Sequence, residues 1–212
     1  MTYQAVIFDL DGTLLDTEAQ AIAAGQRAFD QLGISIPEGF LYQMVGVDFH
    51  TGMAQIVRRW PDIDTAALDK IWAKEARDMA ARGIPLKPGA LDLLDLIDTL
   101  ALPKAIATSS FAHSAAQKLA AAGLSDRFDT VISVDCVSEP KPAPAPYLLA
   151  AERLGVTAHN CLAFEDSETG AQSAFGAGMT VVLVPDIGKT TGTYAHHVAT
   201  DLLQGAAMAK LT

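Results

Sequence analysis

The chain has 212 residues, half of them apolar, and a formal net charge of −10. This length suits one domain with a sizeable insertion, and the apolar fraction argues against disorder. The negative charge argues against nucleic-acid binding, and no apolar run approaches the roughly 18 residues that cross a membrane. No signal sequence precedes the first apolar run, and Cys136 and Cys161 are predicted to be reduced core residues. We therefore expect a cytoplasmic, monomeric protein without nucleic-acid or membrane partners.

The first predicted element is a strand, Ala5–Asp9, that leads into a second carboxylate at Asp11. An apolar run without polar alternation is typical of a strand buried on both faces of a parallel sheet. Residues two apart on a strand point to the same side, so Asp9 and Asp11 can converge, and Gly12 allows a sharp turn after them. Two such carboxylates can bind a divalent metal or act as a base and an acid. The alternative is a plain Asp-Gly turn; a calcium loop is set aside because Thr13 stands where it needs another ligand.

Only helical patterning follows, over residues 16–83. We predict that this segment is a helical cap domain inserted into an α/β core formed by residues 1–15 and 84–212. An insertion directly after a strand's carboxyl end is placed over the edge where such sheets bind ligands. The cap is therefore expected to act as a lid.

After the insertion, apolar strands alternate with alanine-rich helices, which predicts a doubly wound parallel α/β sheet of the Rossmann-like kind. The predicted strands are Ala5–Asp9, Ala105–Thr108, Thr130–Val134, Cys161–Phe164 and Thr180–Val184. The predicted helices between them are Gly89–Leu100, His113–Ala122, Pro146–Leu154 and Ser167–Gly176.

Polar side chains follow three of the later strands at the edge where Asp9 is expected. They are Thr108 with Ser109, then Lys141, then Glu165 with Asp166. Carboxylates alone would repel a phosphate, but Mg²⁺ held by Asp9, Asp166 and Glu165 reverses that effect. Thr108 and the Ser109 amide can then hydrogen-bond phosphate oxygens, and Lys141 supplies a positive charge.

Each of these residues also has a purely structural interpretation. Thr108, Ser109 or Asp166 could cap the helix that follows, and Lys141 could be a solvated loop lysine. These three groups and the first pair, Asp9 with Asp11, all arrive at strand ends in this order, which favours a phosphoryl-transfer site.

At these places the sequence resembles the haloacid dehalogenase (HAD) superfamily. The stretch from Asp9 to Glu18 is similar to its first motif, Thr108-Ser109 to the second, Lys141-Pro142 to the third and Phe164 to Ser167 to the fourth. The insertion resembles the small helical cap of the branch that contains phosphatases and β-phosphoglucomutases.

The resemblance implies that Asp9 attacks phosphorus and forms an aspartyl-phosphate, and that Asp11 protonates the leaving alcohol and later deprotonates water. It implies that Thr108, Ser109 and Lys141 hold the phosphoryl group. It further implies that Asp9, Glu165 and Asp166, with the backbone carbonyl of Asp11, hold Mg²⁺. Dehalogenases of the superfamily lack an acid where Asp11 stands, so Asp11 favours phosphate chemistry.

The resemblance leaves a choice between a phosphatase and a mutase. Mutases carry a cap arginine for the second phosphate of the substrate, a lysine shortly before it and a histidine in the first cap helix. Here Phe49, Val45 and Ala21 fall at those positions. A hydrophobe cannot replace a bidentate phosphate clamp. We therefore predict a magnesium-dependent phosphatase of a small phosphorylated metabolite, most plausibly a sugar phosphate; the alternatives are a phosphosugar mutase and a non-catalytic binding or regulatory protein.

Overall fold

The computed structural model describes residues 3–44, 49–187 and 190–211. These residues belong to two compact units, Met1–Asp16 with Pro85–Thr212, and Thr17–Ile84. No helix in these ranges is both long enough and apolar enough to span a bilayer.

The first unit is built on one parallel sheet with the strand order β3-β2-β1-β4-β5-β6. The strands are β1 (Ala5–Phe8), β2 (Lys104–Ala107), β3 (Thr130–Ile132), β4 (Cys161–Glu165), β5 (Thr180–Leu183) and β6 (His197–Val198). The helices are α4 (Ala90–Thr99), α5 (Ala112–Ala121), α6 (Ala145–Arg153), α7 (Glu168–Gly176) and α8 (Leu202–Met208). This is the predicted doubly wound α/β fold, which is thereby confirmed.

The central strands are apolar because helices cover both faces of the sheet. Every residue of β1 is fully buried. Its side chains alternate: Ala5 and Ile7 belong to one core cluster, and Phe8 stacks on Phe164 of β4 with ring centroids 5.2 Å apart. Alternation of this kind is the period of two that a strand imposes.

Two elements at the end of the chain were not predicted, β6 and α8. A strand of two residues offers no periodicity to recognise, and β6 is placed by its pairing with β5. His196, just before it, accepts a hydrogen bond on its ring Nδ1 from the Val181 amide at 3.0 Å.

The second unit is helical, as the sequence predicted for the insertion. Its helices are α1 (Thr17–Gln31), α2 (Phe49–Arg59) and α3 (Thr65–Ala80). The Phe29 ring lies at the centre of its apolar cluster, with ring centroids 5.3 Å from Trp60 and 6.3 Å from Trp72. This unit therefore has a core of its own.

Candidate active site

The candidate site lies where β1 and β4 end side by side. Phe8 and Phe164 are register partners, and the Asp9 amide donates to the Phe164 carbonyl at 2.9 Å. Asp9 follows β1 directly, and Glu165 is the last residue of β4. The strand order reverses between these two strands, and α/β sheets bind ligands at such a switch point.

Lys141, in the loop before α6, joins these two carboxylates. Its Nζ donates to Asp9 Oδ1 and to Glu165 Oε1, each at 2.6 Å. The Tyr147 hydroxyl on α6 donates to the same Glu165 oxygen at 2.5 Å. Only 4% of the Lys141 side chain is exposed, so the interpretation as a solvated loop lysine is wrong.

Burial dominates the electrostatics of this group. It raises the pKa of Asp9 to about 7, although the Lys141 ammonium acts in the opposite direction. It also raises the pKa of Asp166 to about 9, and the neighbouring Asp9 charge adds to that effect. Burial would lower the pKa of Lys141, but the charges of Asp9 and Glu165 outweigh it, so this pKa is raised. When all three carboxyl groups are ionised, their combined negative charge exceeds the single positive charge of Lys141.

A divalent cation fits this surplus. One carboxylate oxygen from each of Asp9, Glu165 and Asp166 can be chosen so that all three lie within 4.8 Å of one another. Carboxylate oxygens are the ligands that Mg²⁺ prefers. Glu165 is fully buried. Its Oε1 accepts from Lys141 and Tyr147 at 2.6 and 2.5 Å, whereas its Oε2 accepts a longer bond from the Ser167 hydroxyl at 3.4 Å, so Oε2 is the oxygen more open to a cation.

Gly12 allows the first loop to pass very close to Asp166. It has φ +86°, and a Cβ built there would lie 2.5 Å from Asp166 Oδ2 and 3.3 Å from Asp186 Oδ2. Any larger residue would therefore displace Asp166. Asp186, which follows β5, pairs with Lys87 at 2.6 Å, and its buried Oδ2 has no hydrogen-bond partner among the described residues.

The Asp11 carboxylate points to a different set of partners. Lys118 Nζ donates to both Asp11 oxygens at 2.7 Å, and the Ser110 hydroxyl donates to Asp11 Oδ2 at 2.8 Å. Asp11 is not part of the acidic group formed by the side chains around Asp9. Its predicted metal contact is through the backbone carbonyl, and that contact stays a prediction.

Thr108 lies at the end of β2 and is buried, whereas Ser109 beside it is exposed. The Thr108 hydroxyl accepts from the Ser110 amide at 3.0 Å. The N-cap of α5 is Phe111, and the first amide of the helix bonds instead to Asp135 at 3.0 Å. Thr108 and Ser109 are therefore not the caps of α5, and their predicted contact with phosphate stays open to test.

Ser167 is the N-cap of α7, because its hydroxyl accepts from the Gly170 amide at 3.1 Å. Asp166 is therefore not needed as a cap. Its Oδ1 lies 3.4 Å from the donating hydroxyl of Thr13 in the first loop.

Sequence reasoning missed four residues of this region: Ser110, Lys118, Tyr147 and Asp186. Ser110 belongs to the polar run after β2 and Asp186 follows β5, but neither was given a role, and Lys118 and Tyr147 lie on helices away from the motifs. Of the three cap positions used to argue against a mutase, Ala21 lies on α1, whereas Val45 and the side chain of Phe49 lie outside the described residues.

A buried acidic group with a lysine at the switch point of a Rossmann-like sheet is typical of the active site of an α/β enzyme. The family model of the haloacid dehalogenase-like hydrolases matches residues 6–184. The chain therefore belongs to that family, as its motifs indicated.

Known proteins agree with this assignment. The chain is 33% identical over 183 residues to the fructose-1-phosphate phosphatase YqaB of Escherichia coli, covering 85% of this chain and 95% of that protein. Two solved structures share the fold. A HAD family hydrolase of Deinococcus radiodurans, with bound phosphate and sodium, has a TM-score of 0.85, 24% identity and coverage of 98% and 96% of the two chains. The β-phosphoglucomutase of Clostridium difficile has a TM-score of 0.66, 23% identity and coverage of 93% and 91%. The chain is a HAD-like phosphoric monoester hydrolase.

Proposed function

We propose that the protein is a magnesium-dependent phosphatase of a small phosphorylated metabolite, with a sugar phosphate as the favoured substrate class. The observation that carries the proposal is the pairing of buried Asp9 with Lys141 beside Glu165 and Asp166. The sugar phosphate is favoured because a relative at 33% identity is named a fructose-1-phosphate phosphatase.

In the first step an Asp9 oxygen attacks the phosphorus atom. A bond forms between that oxygen and phosphorus, the bond from phosphorus to the alcohol oxygen breaks, and Asp11 gives its proton to that oxygen. In the second step water attacks the aspartyl-phosphate, Asp11 takes the proton of the water, and the bond between Asp9 and phosphorus breaks. The enzyme is regenerated and inorganic phosphate is released.

Mg²⁺ would be held by Asp9, Asp166, the backbone carbonyl of Asp11 and Oε2 of Glu165. When bound, it supplies positive charge that stabilises the phosphoryl oxygens. Lys141 supports the same role from the protein side, because it is already held against Asp9 and Glu165. Thr108 and the Ser109 amide, after β2, complete the proposed phosphate contacts.

Hydrolysis is favoured over mutase chemistry because Ala21, Val45 and Phe49 cannot hold a second phosphate. A mutase would convert a sugar phosphate into its isomer, would need a bisphosphate activator and would release little phosphate. A non-catalytic binding protein has no need for an acid at Asp11.

The test is phosphate release from a panel of small phosphomonoesters with Mg²⁺ and with EDTA, beside an Asp9→Asn variant. We expect release that depends on Mg²⁺ and is abolished in the variant. Full activity of Asp9→Asn would refute the covalent route. Isomerisation of a sugar phosphate with a bisphosphate primer, without net release, would establish the mutase instead.

A further inference from the structure

The Asp11 carboxylate is held from two sides by residues that no motif identifies. Lys118 Nζ lies 2.7 Å from each of its oxygens, and the Ser110 hydroxyl donates to Oδ2 at 2.8 Å. Lys118 Nζ also donates to the Ser110 hydroxyl at 2.9 Å. The three groups therefore form a closed triangle of hydrogen bonds.

These partners come from three separate parts of the core unit. Asp11 lies in the loop after β1, Ser110 in the loop after β2, and Lys118 in the last turn of α5. A lysine stem on a helix points back toward the amino terminus, which brings the Lys118 ammonium to the strand ends. Residues far apart in the sequence thus converge on one carboxylate.

The triangle is more than an exposed ion pair. Exposed pairs of long side chains contribute little, because each side chain loses rotamer freedom. Here the side chains of Lys118 and Asp11 are only 26% and 27% exposed, and a third group fixes both. An ammonium equidistant from two oxygens restricts the carboxylate to one orientation.

The triangle is also continuous with the proposed phosphate contacts. The Ser110 amide donates to the Thr108 hydroxyl at 3.0 Å, while the Ser110 side chain donates to Asp11. Ser110 therefore fixes the distance between the residue predicted to touch the phosphoryl group and the residue predicted to protonate the leaving oxygen. Misplacement of a reacting group by about 1 Å can cost on the order of 10²-fold in rate.

We propose that Lys118, together with Ser110, is a positioning residue that holds the Asp11 carboxylate where the leaving-group oxygen departs. This inference rests on the proposed function, since it assumes that Asp11 acts as the acid. Lys118 acts through Asp11 and is not itself placed on the substrate.

The test compares two substrates whose leaving groups differ in their need for a proton. Alkoxide needs a proton to leave, whereas 4-nitrophenolate leaves without one. For Lys118→Met we expect kcat/KM to fall about 10- to 100-fold on glycerol phosphate and less than about 3-fold on 4-nitrophenyl phosphate. The ratio kcat/KM reports the steps up to the phosphorylation of Asp9, which is the step that needs the acid. Glycerol phosphate carries no second anionic group, so a loss on this substrate does not come from direct binding of an anion by Lys118.

Matched variants separate positioning from loss of structure. Gln117→Met alters the exposed neighbour on α5 and should leave both substrates unaffected. Ser110→Ala should show the same selective loss on glycerol phosphate. This second variant tests the positioning role even if circular dichroism shows that Lys118→Met folds poorly. Lys118→Arg should restore part of the loss, because a cation returns with a different shape.

The outcomes distinguish the two proposals. Equal losses on both substrates, or no loss on either, would overturn the positioning role while the phosphatase stands. A wild-type protein that releases no phosphate from either substrate would overturn the proposed function and this inference together.

Discussion

At the scale of single residues, the central feature is that one buried ammonium group, that of Lys141, pairs with two carboxylates. Lys141 holds Asp9 and Glu165 in a site from which water is largely excluded. Removing one partner of a buried ion pair is costly, because an uncompensated charge stays behind. The lysine therefore has a structural role beside its proposed role toward phosphate.

Replacement of Lys141 by Met is expected to lower the free energy of unfolding by about 3 kcal/mol in the metal-free protein. Urea unfolding with EDTA measures this effect. The double variant Lys141→Met with Glu165→Gln should recover a large part of the loss, because the buried Glu165 charge has been removed as well. If the double variant is less stable than the single one, the loss of stability does not come from an uncompensated charge on Glu165.

Asp11→Asn tests the acid directly. An amide cannot give a proton to the leaving oxygen, so kcat/KM for an alkyl phosphate should fall by about 10²- to 10⁴-fold. The amide keeps one oxygen that can accept from Lys118 or Ser110, so the melting temperature should change little. Steady-state phosphate release and a thermal melt provide both values, and near-wild-type turnover would remove Asp11 from the mechanism.

At the scale of elements, close packing decides which glycines tolerate a side chain. Gly25 on α1 faces α3, where a Cβ would lie 2.5 Å from Trp72 Cζ2. The Trp72 ring cannot yield easily, since its Nε1 donates to the Ala21 carbonyl at 3.2 Å. Gly52 on α2 is also in a helix, but its nearest neighbour is the flexible end of Met44, at 3.1 Å.

Gly25→Ala is accordingly expected to destabilise the protein by about 1–3 kcal/mol, although alanine alone favours a helix by about 1 kcal/mol over glycine. Gly52→Ala should be neutral or stabilising, because a methionine end can move aside. Chemical unfolding of the two variants compares them. The packing argument is refuted if Gly25→Ala is as stable as Gly52→Ala.

At the scale of the whole molecule, the raised pKa values of Asp9 and Asp166 couple stability to pH. Both rise from an ordinary value near 3.8, to about 7 and about 9, chiefly through burial. Between about pH 4 and pH 9 these two carboxyl groups therefore bind more protons in the folded protein than in the unfolded chain. Their contribution to the free energy of unfolding falls as pH rises through this window.

The metal-free protein is expected to show a melting temperature that declines from pH 5 to pH 9, measured in EDTA. Asp166→Asn should flatten this decline, since the side chain no longer titrates. Asp62→Asn is the matched control, because it removes one exposed carboxylate from the cap and should leave the slope unchanged. Identical slopes in all three proteins would contradict the linkage.

Much of the architecture was predictable from local patterns. Buried strands such as Ala5–Phe8 have no polar alternation, and the carboxyl ends of parallel strands must meet at one edge. The positions of Asp9, Lys141 and Asp166 at that edge follow from chain order alone. The two-residue strand β6 could not be predicted, because its pairing with β5 and not its own sequence defines it.

The sequence by itself determined the fold class, the helical insertion and the family, because hydrophobic periodicity and motif spacing are local properties of the chain. Only the tertiary structure decided that Lys141 is buried between Asp9 and Glu165, and that Asp11 turns to Lys118 and Ser110. These contacts join residues up to 132 positions apart. The packing of helices on the sheet decides which charged side chains meet at such separations. No local sequence pattern specifies these pairs.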